Sequence, residues 1–248
     1  MCAKEFDYVA ARNQYAYPAW RLERVAASEP KNPEHLEAWG MRFLPGLLCP
    51  SLALDKFHNK LLNSHSDQDL LHGLISVVYW GYVSGRDGVS RQGRAKGKAM
   101  QLCRGRKNSI PQPREEILKL LRSVQQSVRE DDLSQALLSA MQIKFLGMSF
   151  ASKVIAFMTP EKAGVYDSVI SECLQSRAEC SDLYVSTNYT RSKARRLHQA
   201  ETYARWCAFC CHQAQDLNHQ GLNWHDWDGK PHRWRAIDVE RAFFTGCK

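Results

Sequence analysis

Two short stretches of the chain bring together residue types that can do chemistry. One is Ile143-Lys-Phe-Leu-Gly-Met-Ser-Phe-Ala-Ser-Lys-Val-Ile-Ala-Phe-Met158; the other is Val165-Tyr-Asp-Ser-Val-Ile170. Their pattern predicts a helix ending near Lys144, a tight turn carrying Gly147 and Ser149, and a second helix starting near Phe150. The backbone N–H groups of such a turn, and of the helical turn behind it, lack internal acceptors. They also sit at the positive end of the helix dipole, which suits them to a phosphate. Asp167 falls at the predicted N-cap of a helix beginning Ser168-Val169-Ile170, where the helix N–H groups favour negative charge. A carboxylate beside a phosphate-holding turn is what cleavage of a glycosidic bond in DNA would use. The transition state of that reaction carries positive charge on the sugar.

The charge balance points to the same class of partner. Thirty-four Lys and Arg against 26 Asp and Glu leave a net charge of +8 over 248 residues, and the excess is local. Residues 81–107 hold Arg86, Arg91, Arg94, Lys96, Lys98, Arg104, Arg106 and Lys107 against Asp87 alone, with six of the fourteen glycines. The stretch reads as a basic, mobile, solvated loop able to neutralise several phosphates. A loop that only keeps the chain soluble is the plainer reading of the same residues. Its glycines fit no nucleotide-binding fingerprint, since no Gly-Lys-Ser/Thr closes it. Arg86, Arg91, Arg94, Lys96 and Lys98 are the predicted DNA contacts here, alongside Gly147 and Ser149 in the turn.

These residues need a scaffold, and the apolar spacing predicts a helical one. Leu70, Leu71, Leu74, Ile75 and Val78 mark a helix behind Ser66-Asp67. Ile117 to Val128 mark a second, after Pro111 and Pro113, and Leu133 to Met141 a third, started by Asp131-Asp132. A short apolar run, Ala151 to Met158, stops at Thr159-Pro160. A long helix near 192–214 puts Leu197, Ala200, Ala204, Cys207, Ala208 and Cys211 on one predicted face, and a last one covers about Ala236 to Phe244. No segment alternates apolar and polar residues for long, so little or no sheet is expected. The reading is a mainly α, single domain over 1–248, with room for two lobes and a Trp-rich cap at 215–248. The composition is that of an ordinary globular protein, which excludes collagen-like, mucin-like and wholly disordered classes. No apolar run approaches a membrane span, and the start Met1-Cys-Ala-Lys-Glu-Phe-Asp shows no secretory signal. A monomeric cytoplasmic protein is expected, its nine cysteines read as buried thiols rather than a disulfide framework.

The order helix, Gly-containing hairpin, helix, loop and Asp resembles the helix-hairpin-helix DNA glycosylases, especially the 8-oxoguanine glycosylase-like branch. The resemblance covers about Leu133 to Leu174, and Trp234-Arg-Ala-Ile-Asp-Val-Glu-Arg-Ala-Phe-Phe244 adds a family-like tail. It implies that the hairpin grips the DNA backbone, that a modified base is flipped out, and that Asp167 is essential to catalysis. The family hairpin usually reads Leu-Pro-Gly-x-Gly; here it is Phe145-Leu-Gly-Met-Ser149, with Leu146 for the proline and Ser149 for the second glycine. An ungapped alignment from Gly147 puts Ala151 where many members carry a nucleophilic lysine. Two extra hairpin residues instead match Ser152-Lys153 to the Thr-Lys pair of the lysine-using branch. Lys153 would then attack the sugar as an amine; with Ala151 there, Asp167 would assist a water. Repair of oxidised bases and defence against phage DNA with modified or glucosylated cytosines are both open settings. So is a non-catalytic helix-hairpin-helix DNA-binding protein.

Other residues carry weaker signals. Trp80 and Tyr82 offer faces on which a flipped base can stack, and Tyr15, Tyr17 and Trp20 do so less strongly; core packing is the alternative. Cys207, Cys210, Cys211 and His212, with Cys173 and Cys180, could be drawn as two halves of a zinc site. Free cysteines on an apolar helix face are more simply small hydrophobes, and no metal or other cofactor is expected. His219, His225 and His232, interleaved with Trp224, Trp227 and Trp234, read as a packed cap.

Overall fold

The computed structural model describes residues 6–15, 19–25, 36–39, 41–44, 46–83 and 92–247. Its helices are α1 (Tyr8–Asn13), α2 (Ser51–Leu62), α3 (Asp67–Val83), α4 (Gln92–Arg104), α5 (Arg114–Arg129), α6 (Leu133–Ala140), α7 (Met148–Met158), α8 (Ser168–Ser176), α9 (Lys193–His219) and α10 (Ala236–Gly246). Among the described residues, sheet is confined to short antiparallel pairings, as expected. Trp20–Arg21 pairs with Leu47–Leu48, Met41–Phe43 lies between Arg24–Val25 and Leu36–Ala38, and Trp224–His225 pairs with Pro231–His232. The fold is mainly helical around one continuous apolar core that reaches from Ala11 to Phe244.

α3 is the central helix. Every residue from Leu70 to Trp80 is buried, and a helix apolar on all sides has to be surrounded by others. α2, α4 and α7 pack around it. Gly81 lets α7 come close: a Cβ there would lie 2.6 Å from the Phe150 ring. α2, α1 and α10 are joined by buried ion pairs. Asp55 of α2 accepts from Arg235 at 2.7 Å and from Arg241 at 2.6 and 2.9 Å. Asp238 accepts from Arg235 at 2.7 Å and from Arg12 at 3.1 Å. Burial works against the charge on Asp55, but the Arg241 and Arg235 guanidiniums overcome it and hold the carboxyl down at about 2.

Four expectations are corrected. Residues 92–104 of the basic stretch are helical, not a loop, because Ala95, Ala99 and Leu102 form a buried stripe at helical spacing. Arg94 is exposed on the opposite side and Lys96 and Lys98 are half-buried; Arg86 and Arg91 lie outside the described residues. The hairpin is longer than the predicted turn, because α6 ends at Ala140 and α7 begins at Met148. Its intervening residues are held by the buried Ile143 and Leu146, with Phe145 in the left-handed region at φ +70°. The buried face of α9 is rotated from prediction: Tyr203, Trp206, Cys207 and Cys210 pack inward, while Leu197 and Ala208 are exposed. Large aromatic rings dominate that face, since they bury the most area. Finally, Cys173 and Cys247 form a disulfide, with Cα atoms 5.6 Å apart where α8 packs against α10. That removes Cys173 from the imagined zinc site. Cys49, Cys103, Cys180, Cys207, Cys210 and Cys211 are free thiols.

Candidate active site

α7 carries the site from its first turn inward. Its N-cap, Gly147, offers no side-chain acceptor, so the first N–H groups of the helix are left for an outside partner. A Cβ at Gly147 would meet nothing within 4 Å; the glycine keeps open space beside these donors rather than avoiding a clash. Ser149 is half-buried one residue into the helix. One cation of the basic stretch lies on a hairpin ring and a second beside an aromatic pair at the start of α7. The Arg106 guanidinium lies 4.6 Å from the Phe145 ring centre, and Lys98 Nζ lies 5.5 Å from that of Tyr82, which stacks on Phe150 at 4.7 Å.

One turn further along α7, Lys153 is buried and turns its ammonium toward Asp167. Nζ lies 3.2 Å from Asp167 Oδ2 and 3.4 Å from the Ser149 carbonyl. Asp167 is the N-cap of α8, its Oδ1 accepting from the Val169 and Ile170 N–H groups at 3.1 and 3.3 Å. One oxygen thus anchors the helix and the other faces the lysine. Ser152 fixes the spacing: its Oγ accepts from Tyr166 N–H at 3.0 Å and lies 3.2 Å from the Tyr166 carbonyl. The Tyr166 hydroxyl is itself bonded to Leu183 O and Val185 N–H, each at 2.8 Å, and Trp206 Nε1 donates to Val165 O at 3.0 Å. The segment carrying Asp167 is therefore held from three sides.

Lys153 and Asp167 share a small pocket with Tyr15, Trp80, Glu240, Arg241 and Phe244. Its cavity of about 10 Å³ has room for roughly one water, so a base requires the walls to part. Of the residues singled out in the sequence, the structure brings Lys153, Asp167, Trp80 and Tyr15 together here. Ala151 points into the core and is fully buried, which leaves Lys153 as the α7 residue at the pocket. Tyr82 stacks on Phe150, Trp20 is in the strand paired with Leu47–Leu48, and Tyr17 lies outside the described residues.

Sequence reasoning missed Glu240, Arg241 and Phe244, all on α10. Their only signal was that charged residues interrupt an apolar helical pattern in the tail. Glu240 is 4 % exposed, and Gly164 makes room for it, because a Cβ there would lie 2.9 Å from the Glu240 Cβ. Burial, reinforced by the Asp167 carboxylate, pushes the Glu240 carboxyl up to about 8 against the opposing pull of Arg241, Lys153 and the Val165 N–H. The pocket thus holds two carboxyl groups in contrasting surroundings, one facing donors and an ammonium, the other enclosed. Among the described residues, no group of three or more His, Cys, Asp or Glu is placed to hold a metal ion.

Hairpin, lysine-bearing helix and capping aspartate follow one another on a helical scaffold in the manner of the helix-hairpin-helix DNA glycosylases, the class to which the fold and site point. Within it, the family described as "Putative 8-oxoguanine DNA glycosylase OGG-like protein" has a model that matches residues 56–244, and the chain belongs to that family. The match runs from α2 to α10 and includes the hairpin, Lys153, Asp167 and Glu240. No curated protein and no solved structure matches the chain at a significant level. Membership suggests DNA glycosylase activity and so DNA as the substrate. Among the described residues no helix is long and apolar enough to cross a membrane.

Proposed function

We propose that the chain releases a modified base from DNA by cleaving its N-glycosidic bond, with Asp167 and Lys153 as the reacting pair. The observation that carries this reading is the 3.2 Å approach of Lys153 Nζ to Asp167 Oδ2 inside a pocket behind an open hairpin. Hairpin N–H groups and the cations of α4 hold phosphates while the target nucleotide leaves the stack. Flipping costs a few kcal/mol, least for a damaged or poorly paired base, which gives selectivity before any pocket contact forms. Trp80 and Tyr15 flank the entering base. Asp167 stabilises positive charge developing at the sugar; Lys153, once its ammonium has given a proton to solvent, attacks C1′ through the freed lone pair and gives a Schiff base after the sugar ring opens.

The test is incubation with duplexes carrying 8-oxoguanine, other oxidised bases, and modified or glucosylated cytosines, followed by mass spectrometry for free base. The panel separates an oxidised-base repair enzyme from one directed at modified phage DNA. Wild type is expected to release one class of base, and Asp167→Asn to slow release by at least ~10²-fold while still binding the duplex. Borohydride should trap a covalent adduct with wild type and none with Lys153→Ala. Base release without an adduct would assign attack to water. Equal behaviour of wild type and Asp167→Asn would identify a DNA-binding protein in which Asp167 is only a cap.

A further inference from the structure

We infer that Glu240 is the acid of the site, the group that gives a proton to the departing base. The inference rests on the glycosylase reading and adds to it a residue that neither the hairpin nor the capping aspartate implies. Glu240 lines the same pocket as Lys153 and Asp167, is buried, and stands on α10, packed against the segment that carries Asp167. Two carboxyls in one pocket with environments this different divide the work of a glycosidic cleavage. One remains an anion facing the sugar, and the other stays protonated and faces the leaving group.

Charged and titratable groups from several elements face Glu240 among the described residues, Tyr15 sharing its pocket. Asp167 at the start of α8 raises its proton affinity, while Lys153 of α7 and Arg241 of α10 lower it; Tyr203 and Cys210 lie beside it on α9. Arg241 is already committed to Asp55 and Lys153 to Asp167, so neither cation is a dedicated partner for a Glu240 carboxylate. Burial prevails, and the carboxyl holds its proton up to about 8.

The step balances. The bond between C1′ and the base nitrogen breaks, its electron pair goes to the base, and the Glu240 proton neutralises that charge. C1′ gains a bond to the Lys153 amine or to a water oxygen. The proton shed by that nucleophile returns to the Glu240 carboxylate, which restores the acid. General acid assistance of this kind is typically worth ~10²–10⁴-fold in rate. It also sets a sign for pH: the acid's contribution to release should fall about tenfold per pH unit above about 8, as the acid form is lost.

The experiment is single-turnover base release between pH 6 and 10 from the panel duplexes, for wild type and Glu240→Gln. Infrared difference spectra between the two proteins run alongside. The amide copies the shape of the neutral acid but has no proton to give. Expected results are a carboxylic-acid C=O band at pH 7 lost in the variant, release slowed ~10²-fold or more, and disappearance of the alkaline limb. Duplex affinity at pH 7 should not change, and the thermal midpoint there should not fall, since the amide carries no cost of staying uncharged. An active wild type whose rate and pH profile survive Glu240→Gln, or a carboxylate band for Glu240 at pH 7, overturns the inference and leaves the glycosylase reading standing. No base release by wild type from any duplex instead removes the glycosylase reading itself.

Discussion

At the residue scale, the hydroxyl of Ser152 does more positioning than its modest chemistry suggests. It links the helix that carries Lys153 to the backbone just before Asp167, through Tyr166 N–H at 3.0 Å. Ser152→Ala should leave that buried N–H without its partner, at a cost of ~1–3 kcal/mol in stability. Misplacing reacting groups by about an ångström costs roughly 10²-fold, so single-turnover release should fall by ~10–10² with duplex affinity unchanged. An unchanged rate would mean that Asp167 is held well enough by the α8 N–H groups alone. Glu240 gives a second residue-scale signature. Its folded value is raised from 4.5 to about 8, so the protonated form favours folding. That contribution is complete below pH 4.5, is lost progressively as pH rises from there, and is gone once pH passes about 8. Glu240→Gln should therefore melt increasingly above wild type as pH rises from about 4.5 to 8, with the gap level beyond, read by thermal unfolding across pH. Asp167 and Lys153 were legible in the sequence because their setting is local: a hairpin, a Ser-Lys pair, an N-cap. Glu240 was not, because its meaning comes from a fold that returns a distant helix to the same pocket.

At the scale of elements, α10 is the part whose placement matters most, and ion pairs rather than apolar burial alone orient it. Asp55 of α2 binds both Arg235 and Arg241, and Arg241 also lines the pocket. Asp55→Ala leaves two buried guanidiniums short of their partner and should cost ~3–5 kcal/mol, measured by urea unfolding. A loss below ~1 kcal/mol would show that the arginines find other acceptors. The sequence foretold the helices whose stripes are unambiguous, α3, α5, α6 and α10. It failed for α4, where six glycines and the charge of residues 81–107 masked the stripe of Ala95, Ala99 and Leu102. In α9 the small residues Ala204 and Ala208 suggested one face, and the rings of Tyr203 and Trp206 chose another. A disulfide between Cys173 and Cys247 had no sequence signal, since only the packing of α8 on α10 brings them together.

For the whole molecule, the net charge of +8 becomes a surface with a position. Arg106 lies on the Phe145 ring and Lys98 by Tyr82, which stacks on Phe150, so these two cations flank the open end of α7. Each phosphate these side chains neutralise steepens the salt dependence of duplex binding by ~0.9, and Arg106→Ala should lower the measured slope by about that amount. An unchanged slope would place Arg106 outside the DNA contact. Binding, however, is shared by many basic helical proteins; the claim at the centre is that this surface feeds a pocket where a bond is broken. Mass spectrometry for free base after incubation with the panel of modified duplexes tests it most directly. Release of one class of base by wild type, slowed at least ~10²-fold in Asp167→Asn with duplex binding retained, is the predicted result. No free base from any duplex, or equal release by both proteins, would contradict it.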